Sequence, residues 1–247
     1  MLIIAIVAAE LGKAVSKETK VDILVTPLVT IFAGVGLSML IAAPIGAAAS
    51  QVGTLIMWAT EQAPLVMGIL VSVIVGVALT LPISSAAICA ALGLTGLAGG
   101  AAVAGCCAQM VGFAVMSYKE NGVGGLVSQG LGTSMLQMGN IIKNPRIWIA
   151  PTLASAITGP LATCLFHFEM NGAAVSSGMG TCGLVGQIGV YTGWVSDIAA
   201  GTKAAITPMD WAAMVLLCFV LPAVLSVVFC EVERKLGWIK EGDLKLN

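Results

Sequence analysis

The chain has 247 residues, 58% hydrophobic and only 9% charged, with a formal net charge of -1 and a mean hydropathy of +1.03. A soluble domain carries about 25% charged residues, so a water-soluble globule of this size is excluded and a polytopic membrane protein is indicated. The near-neutral balance gives no basic field for nucleic acid, and no partner of that kind is expected.

Residues 1–9 are apolar from the first position and are closed by Glu10, Lys13 and Lys17. A secretory leader would put positive charge first and a small-residue cleavage site after. A spanning helix needs about 20 apolar residues, and this run falls well short. It reads either as the tail of a helix that begins upstream or as an interfacial helix. Residues 23–49 are long enough to span with tilt, and Pro27 and Pro44 are places for a kink or an end. Trp58 suits a membrane–water interface. Residues 64–81 form the next span, with Pro64 in its first turn.

No charged residue occurs between Glu61 and Lys119. Within that stretch, Pro82 followed by Ser84 and Ser85 marks a break, since either serine can cap a new helix. Residues 86–116 are apolar but crowded with Gly93, Gly96, Gly99, Gly100 and Gly105, small residues that let helix backbones approach closely. One long span and a broken pair both fit. Gln109 is the large polar residue of this region.

A turn at 118–122 leads into residues 122–140, which are rich in glycine and carry Ser128, Gln129, Thr133, Ser134 and Gln137. That is too polar to face lipid and fits a re-entrant hairpin. Asn144 as cap and Pro145 at the first helical position restart a helix. Residues 147–168 span, and His167, Glu169 and Asn171 cluster at their end. Residues 172–194 are a second glycine-rich polar segment. Thr207-Pro208-Met209-Asp210 is a strong helix start with an acidic third position. Residues 211–229 span, and a charged tail follows. Lys13, Lys17 and Lys20 lie in one connection and Arg234, Lys235, Lys240 and Lys245 in the tail, so both are expected on the cytoplasmic side. The predicted fold is all-α: a polytopic integral membrane protein, one domain over 1–247, with two re-entrant hairpins around the span 147–168.

The two polar segments nearly repeat each other. Gly130-Leu131-Gly132-Thr133-Ser134-Met135-Leu136 is followed at once by Gln137; Gly178-Met179-Gly180-Thr181-Cys182-Gly183-Leu184 is followed by Gln187. Irregular backbone at membrane depth is tolerated only where it is buried in protein or lines a cavity. Paired interruptions in two halves of a chain point to a transporter's substrate site. A half-helix starting there aims backbone N–H groups and partial positive charge at its terminus. Gly130, Gly132, Thr133, Ser134, Gln137, Gly178, Gly180, Thr181 and Gln187 are therefore candidate substrate-binding residues, expected to face a shared cavity. The bland alternative is small-residue packing between helices.

Ionisable residues near membrane depth are functional candidates by default, which adds His167, the sole histidine, and Glu169. Both could equally face water at a helix end. Lys143 and Arg146 read as an interfacial anchor, and Gln109 and Asn140 as helix-bridging amides or substrate contacts. The seven cysteines are odd in number and contain no Cys-x-x-Cys, which argues against a disulfide framework or a zinc site. No nucleophile–base pair, metal cluster or phosphate loop is visible, so no catalytic residue, metal or cofactor is expected.

Longer runs add a resemblance. Val21-Asp22-Ile23-Leu24-Val25-Thr26-Pro27, Leu81-Pro82-Ile83-Ser84-Ser85-Ala86-Ala87 and Gly105-Cys106-Cys107-Ala108-Gln109-Met110-Val111-Gly112-Phe113 are three of them. Gly130-Leu131-Gly132-Thr133-Ser134-Met135 and Lys143-Asn144-Pro145-Arg146-Ile147-Trp148 complete the set. Together they resemble the enzyme IIC-like membrane proteins of the bacterial phosphotransferase system, in a branch also described as putative toxin regulators. The resemblance covers roughly residues 21–229. It implies a sugar permease in the bacterial cytoplasmic membrane, with separate cytoplasmic enzyme IIB and IIA chains as partners and a homodimeric assembly. Members usually carry further N-terminal membrane segments, which fits the upstream-helix reading of residues 1–9. Better-known relatives bind sugar through a carboxylate inside a re-entrant hairpin and a nearby histidine. Here residues 178–187 hold no carboxylate, and His167 and Glu169 precede them instead. A membrane sensor that binds ligand without moving it, and a weaker intramembrane-enzyme reading, are the alternatives.

Overall fold

The computed structural model describes residues 2–16 and 22–246, and all regular elements among them are helical. The chain divides into two compact units, residues 1–51 and 52–247.

In the first unit, α1 (Leu2–Val15) runs beyond the apolar run into Glu10 and Lys13. It lies antiparallel to the first part of α2 (Asp22–Gln62): a side chain on Gly12 would overlap the Thr30 hydroxyl, and one on Gly34 would touch Ala8. Pro27 and Pro44 both sit inside α2.

The second unit holds α3 (Pro64–Thr80), α4 (Ser85–Leu92), α5 (Gly96–Met116), α6 (Tyr118–Val127), α7 (Met138–Lys143), α8 (Pro145–Leu165), α9 (Val185–Ala199) and α10 (Pro208–Lys235). Three of these, α5, α8 and α10, are long and apolar enough to cross a membrane; α3 is a shorter apolar helix. The region left open by composition is a broken pair. The Ser84 side chain accepts from the Ala87 amide to start α4, Gly93 ends it at φ +62°, and α5 begins anew at Gly96.

The central position falls to α5 rather than to residues 147–168. Every residue from Ala98 to Met110 is buried, as expected of a helix that is apolar all round. Its small residues admit backbone on several sides. A side chain on Gly105 would overlap the Ser72 carbonyl of α3, and the carbonyl of Gly105 in turn faces Gly76. Ser72 also donates to the Ser155 carbonyl of α8 at 2.8 Å, closing a three-helix contact.

Two irregular excursions start at opposite ends of α5, the first from α5 itself and the second from the end of α8. The first starts beyond Met116 and runs through α6 and a π turn (Ser128–Gly132). It breaks at Thr133, which is extended, then passes through a 3-10 turn (Ser134–Gln137) into α7. It comes back to where it began: Ile141 and Ile147 share an apolar cluster with Met116 and with Ile239 and Leu244 of the tail. The second starts at the Gly96 end, where Gly96 and Met170 exchange backbone hydrogen bonds of 3.0 Å each way. It passes two 3-10 turns (Ala174–Gly178 and Cys182–Leu184) and returns along α9, whose Asp197 meets Asn171 again at 2.9 Å. A 21-residue helix is about 30 Å long, and Gly180 rests against Cys106 and Cys107, halfway along it.

Gly105→Ala should lower stability by about 1–3 kcal/mol, because the added methyl meets backbone that no rotamer change can move aside. Gly139→Ala, where a methyl meets open space, serves as the control, with an expected change within about 0.5 kcal/mol. Thermal unfolding of the purified protein in detergent measures both.

Candidate functional site

The paired motifs meet each other. The Thr181 hydroxyl, fully buried, donates to the Gly130 carbonyl at 2.5 Å. A broken helical ladder leaves carbonyls that need donors from elsewhere, and here one motif supplies the other. The second motif can lie this deep because Gly180 combines φ +53° with direct contact on the Cys106–Cys107 backbone, a place where any side chain would collide. Gly178 accepts from the Ser85 hydroxyl at 2.6 Å, tying the same segment to the start of α4.

Most other polar groups of the motifs are engaged inside the protein. Thr133 caps the 3-10 turn by accepting from the Met135 amide at 3.1 Å. Ser134 shares a 2.8 Å hydrogen bond with Thr80, and Thr80 also donates to Gln109 at 3.4 Å. Gln109 in turn accepts from Trp148 at 2.9 Å and donates to Thr152 at 3.2 Å, so it bridges α3, α5 and α8. Gln137 is fully buried. It donates to Gln129 and to the Leu244 carbonyl, both at 2.9 Å, and accepts from Asn140 at 2.7 Å. Gln187 donates to the Cys107 sulfur at 3.2 Å and keeps its Oε1 buried without a partner. Gly130 also borders a small apolar cleft with Val111, Ala114 and Phe219, while Gly132 carries no close neighbour where a side chain would project.

His167 and Glu169 lie elsewhere, at the Gly96 end of α5. There they line a cavity of about 540 Å3 with Asn171, Trp194, Asp197, Lys203 and Asp210. None of the Gly-x-Gly-Thr residues lines it. The local sequence explains the placement. After the π turn that ends α8, residues 166–170 leave the helix, and exposed and buried side chains alternate from His167 to Met170. Phe168 and Met170 are buried in the core, while His167 and Glu169 point outward. His167 itself sits at φ +43°, a left-handed conformation uncommon for a side chain of its size and the kind of local strain that concentrates at functional sites.

The polar groups are ordered among themselves. One nitrogen, Asn171 Nδ2, donates to Glu169 Oε2 at 3.0 Å and to Asp197 Oδ2 at 2.9 Å. Lys203 Nζ pairs with Asp210 Oδ1 at 2.7 Å and lies 5.4 Å from the Trp194 ring centre. Asp210 completes the capping box of α10 with Thr207. Trp194 is fixed by an edge-on contact with Trp211, 5.6 Å between ring centres. A wall of this composition offers carboxylate acceptors, an imidazole that both donates and accepts, and an aromatic face. Its volume is in the range of small-molecule sites.

Residues 1–246 match the family model described as "Phosphotransferase system, EIIC". The chain belongs to that family. As a member of the EIIC family it is a membrane component of phosphotransferase sugar transport, the resemblance read from its motifs. Searches of curated proteins and of solved structures returned no significant match.

Sequence reading did not assign Trp194, Asp197, Lys203 or Asp210 to the site of this EIIC protein. A signal existed: Asp197 and Lys203 are among the few charges between residues 23 and 209. Asp210 was accounted for by its capping role, which hid its pairing with Lys203. Gln109 and Asn140 prove to be bridging amides, Asn140 reaching Gln137 and the Lys245 carbonyl.

Thr181→Val keeps the shape of the side chain and removes the donor to Gly130. It should destabilise the protein by about 1–3 kcal/mol, the cost of a buried carbonyl left without its partner. An unchanged unfolding midpoint would show that the contact between the motifs carries no energy.

Proposed function

We propose that the chain is a sugar permease of the enzyme IIC type, moving a sugar across the cytoplasmic membrane for phosphorylation by a separate enzyme IIB. The cavity bounded by His167, Glu169, Asn171, Trp194 and Asp197 is where the sugar is first held. The observation that carries this reading is that cavity: a polar pocket of about 540 Å3 with an aromatic wall, built at one end of α5 in a chain of an EIIC family. Sugar hydroxyls need acceptors and donors side by side, and Glu169, Asp197, Asn171 and His167 provide both.

Two further features support it. The excursions 118–143 and 171–199 each leave and return at one end of α5, opposite ends for the two, as re-entrant hairpins would. Their tips touch through Thr181 and Gly130, beside Met110 and Ala114 in the second half of α5, where a moving substrate would have to pass. The basic residues Arg234, Lys235, Lys240 and Lys245 lie at the Met116 end. The positive-inside tendency puts that end in the cytoplasm. The cavity then opens outward, and the tail end is the face for enzyme IIB and IIA. A homodimer belongs to the same reading by family likeness.

A membrane sensor that binds sugar without moving it is the second reading. It is favoured by one observation, that Gln137, Ser134 and Thr181 are already satisfied within the protein. Radiolabelled sugar uptake into proteoliposomes separates the two, with binding measured in parallel: a permease gives uptake, increased when enzyme IIB and phosphorylated IIA are enclosed, and a sensor gives binding alone. Glu169→Gln should weaken sugar binding about tenfold to a hundredfold, the loss of a charged hydrogen-bond partner. Unchanged affinity in a folded variant would remove Glu169 from the site.

A further inference from the structure

We propose that the sugar this cavity selects is cationic, an amino sugar with a free ammonium group, rather than a neutral or anionic one. The inference rests on the reading of the cavity as the sugar site. It follows from how the charges around the cavity are already spent. Lys203 is committed: its ammonium sits 2.7 Å from Asp210 and lies over the Trp194 ring. That pair is neutral as a unit. Asp210 is further held by the Thr207 amide and hydroxyl, at 2.7 and 2.8 Å, so its carboxylate is fully engaged.

Glu169 and Asp197 remain. Each accepts from Asn171, a neutral amide that orients them without cancelling their charge. Because both bonds come from the same nitrogen, the two carboxylate oxygens are held within two hydrogen-bond lengths of one another. Neither has a salt-bridge partner among the described residues. Two like charges at that spacing repel, and the second oxygen of each carboxylate is left available. An ammonium group placed between them relieves the repulsion and donates to both, and charge-assisted bonds of this kind are about twice as strong as neutral ones. A hexose offers only hydroxyls to the same oxygens. A uronate or sugar phosphate adds a third negative charge. His167 is the one other titratable group on the wall besides these and the Lys203–Asp210 pair. Trp194 supplies an apolar face for the sugar ring, to which a cation is also attracted.

The test is calorimetric titration of the full chain in nanodiscs. The probes are glucosamine, glucose, N-acetylglucosamine and glucuronate, with the galacto and manno series alongside, at a pH where the amine is protonated. The proposal expects the amino sugar to bind on the order of tenfold or more tightly than the neutral hexose in whichever series binds, with the N-acetyl form losing that advantage and the uronate weakest. In the double variant Glu169→Gln, Asp197→Asn the ratio between amino sugar and hexose should fall to near one. Equal or tighter binding of hexose or uronate overturns the proposal while leaving the cavity as the sugar site. Binding of no member of any series overturns both. A preference that survives in the double variant also overturns it, since the discrimination then arises elsewhere.

Discussion

Backbone amides and carbonyls inside a hydrocarbon layer have no water to bond with, so every departure from helix must be satisfied by protein. In this chain the departures are concentrated in two segments, and α5 makes them affordable. Its surface is almost entirely alanine, glycine and cysteine around its midpoint, so backbone can lie directly on backbone there. Gly180 reaches Cys106 and Cys107 only because neither side carries bulk. One interrupted ladder is then completed from the other segment, Thr181 donating to Gly130 across the two tips. Without the narrow α5, the two segments would be too far apart to share that bond.

The two ends of α5 differ chemically, and the difference separates structural polarity from available polarity. At the Met116 end most polar groups are closed upon themselves, Glu233 excepted, whose buried carboxylate has no hydrogen-bond partner. Glu120 pairs with Arg234 at 3.0 Å and accepts from the Leu244 amide at 2.8 Å. Asn121, Gln137, Asn140 and Asn144 all donate to carbonyls of the tail. These are mostly neutral amides reading backbone, arrangements that fix a segment rather than await a ligand. At the Gly96 end, carboxylates outnumber the cation beside them, and a single asparagine holds two of them in place. Groups held in position with unspent bonding capacity are what a binding site requires.

Much of this was legible in the residues. The helical class, the break at Ser84, the restart at Asn144 and Pro145, and the cap at Thr207 follow from local rules, because caps and prolines act within a few residues. The Gly-x-Gly-Thr pair announced where the backbone is irregular. What the sequence did not convey was partnership. Nothing in the spacing of Thr181 and Gly130 says that they bond to each other, and nothing along the chain says that Gln137 spends its amide on Leu244, since both pairings cross long separations. Residues 86–116 were undecided because glycine both breaks helices and packs them; only the neighbours choose. His167 and Glu169 are separable from the motifs only in three dimensions: the second motif rests on the middle of α5, while the Gly96–Met170 backbone pairing keeps these two at its end. Nothing along the chain joins Trp194 and Asp197 to His167 and Glu169, because a helix face is assigned by what packs on it.

The account turns on the cavity and the tail lying on opposite sides of the membrane, with the two broken segments entering from each. Sided labelling tests this most directly. Thr202→Cys, on the exposed cavity rim, and Lys240→Cys, exposed in the tail, are placed one at a time in a background with Cys164 and Cys182 changed to serine; the other native cysteines are buried. A membrane-impermeant maleimide is applied to right-side-out and to inverted vesicles. The account predicts that Thr202→Cys reacts only in right-side-out vesicles and Lys240→Cys only in inverted ones; reaction of both from the same face would contradict it.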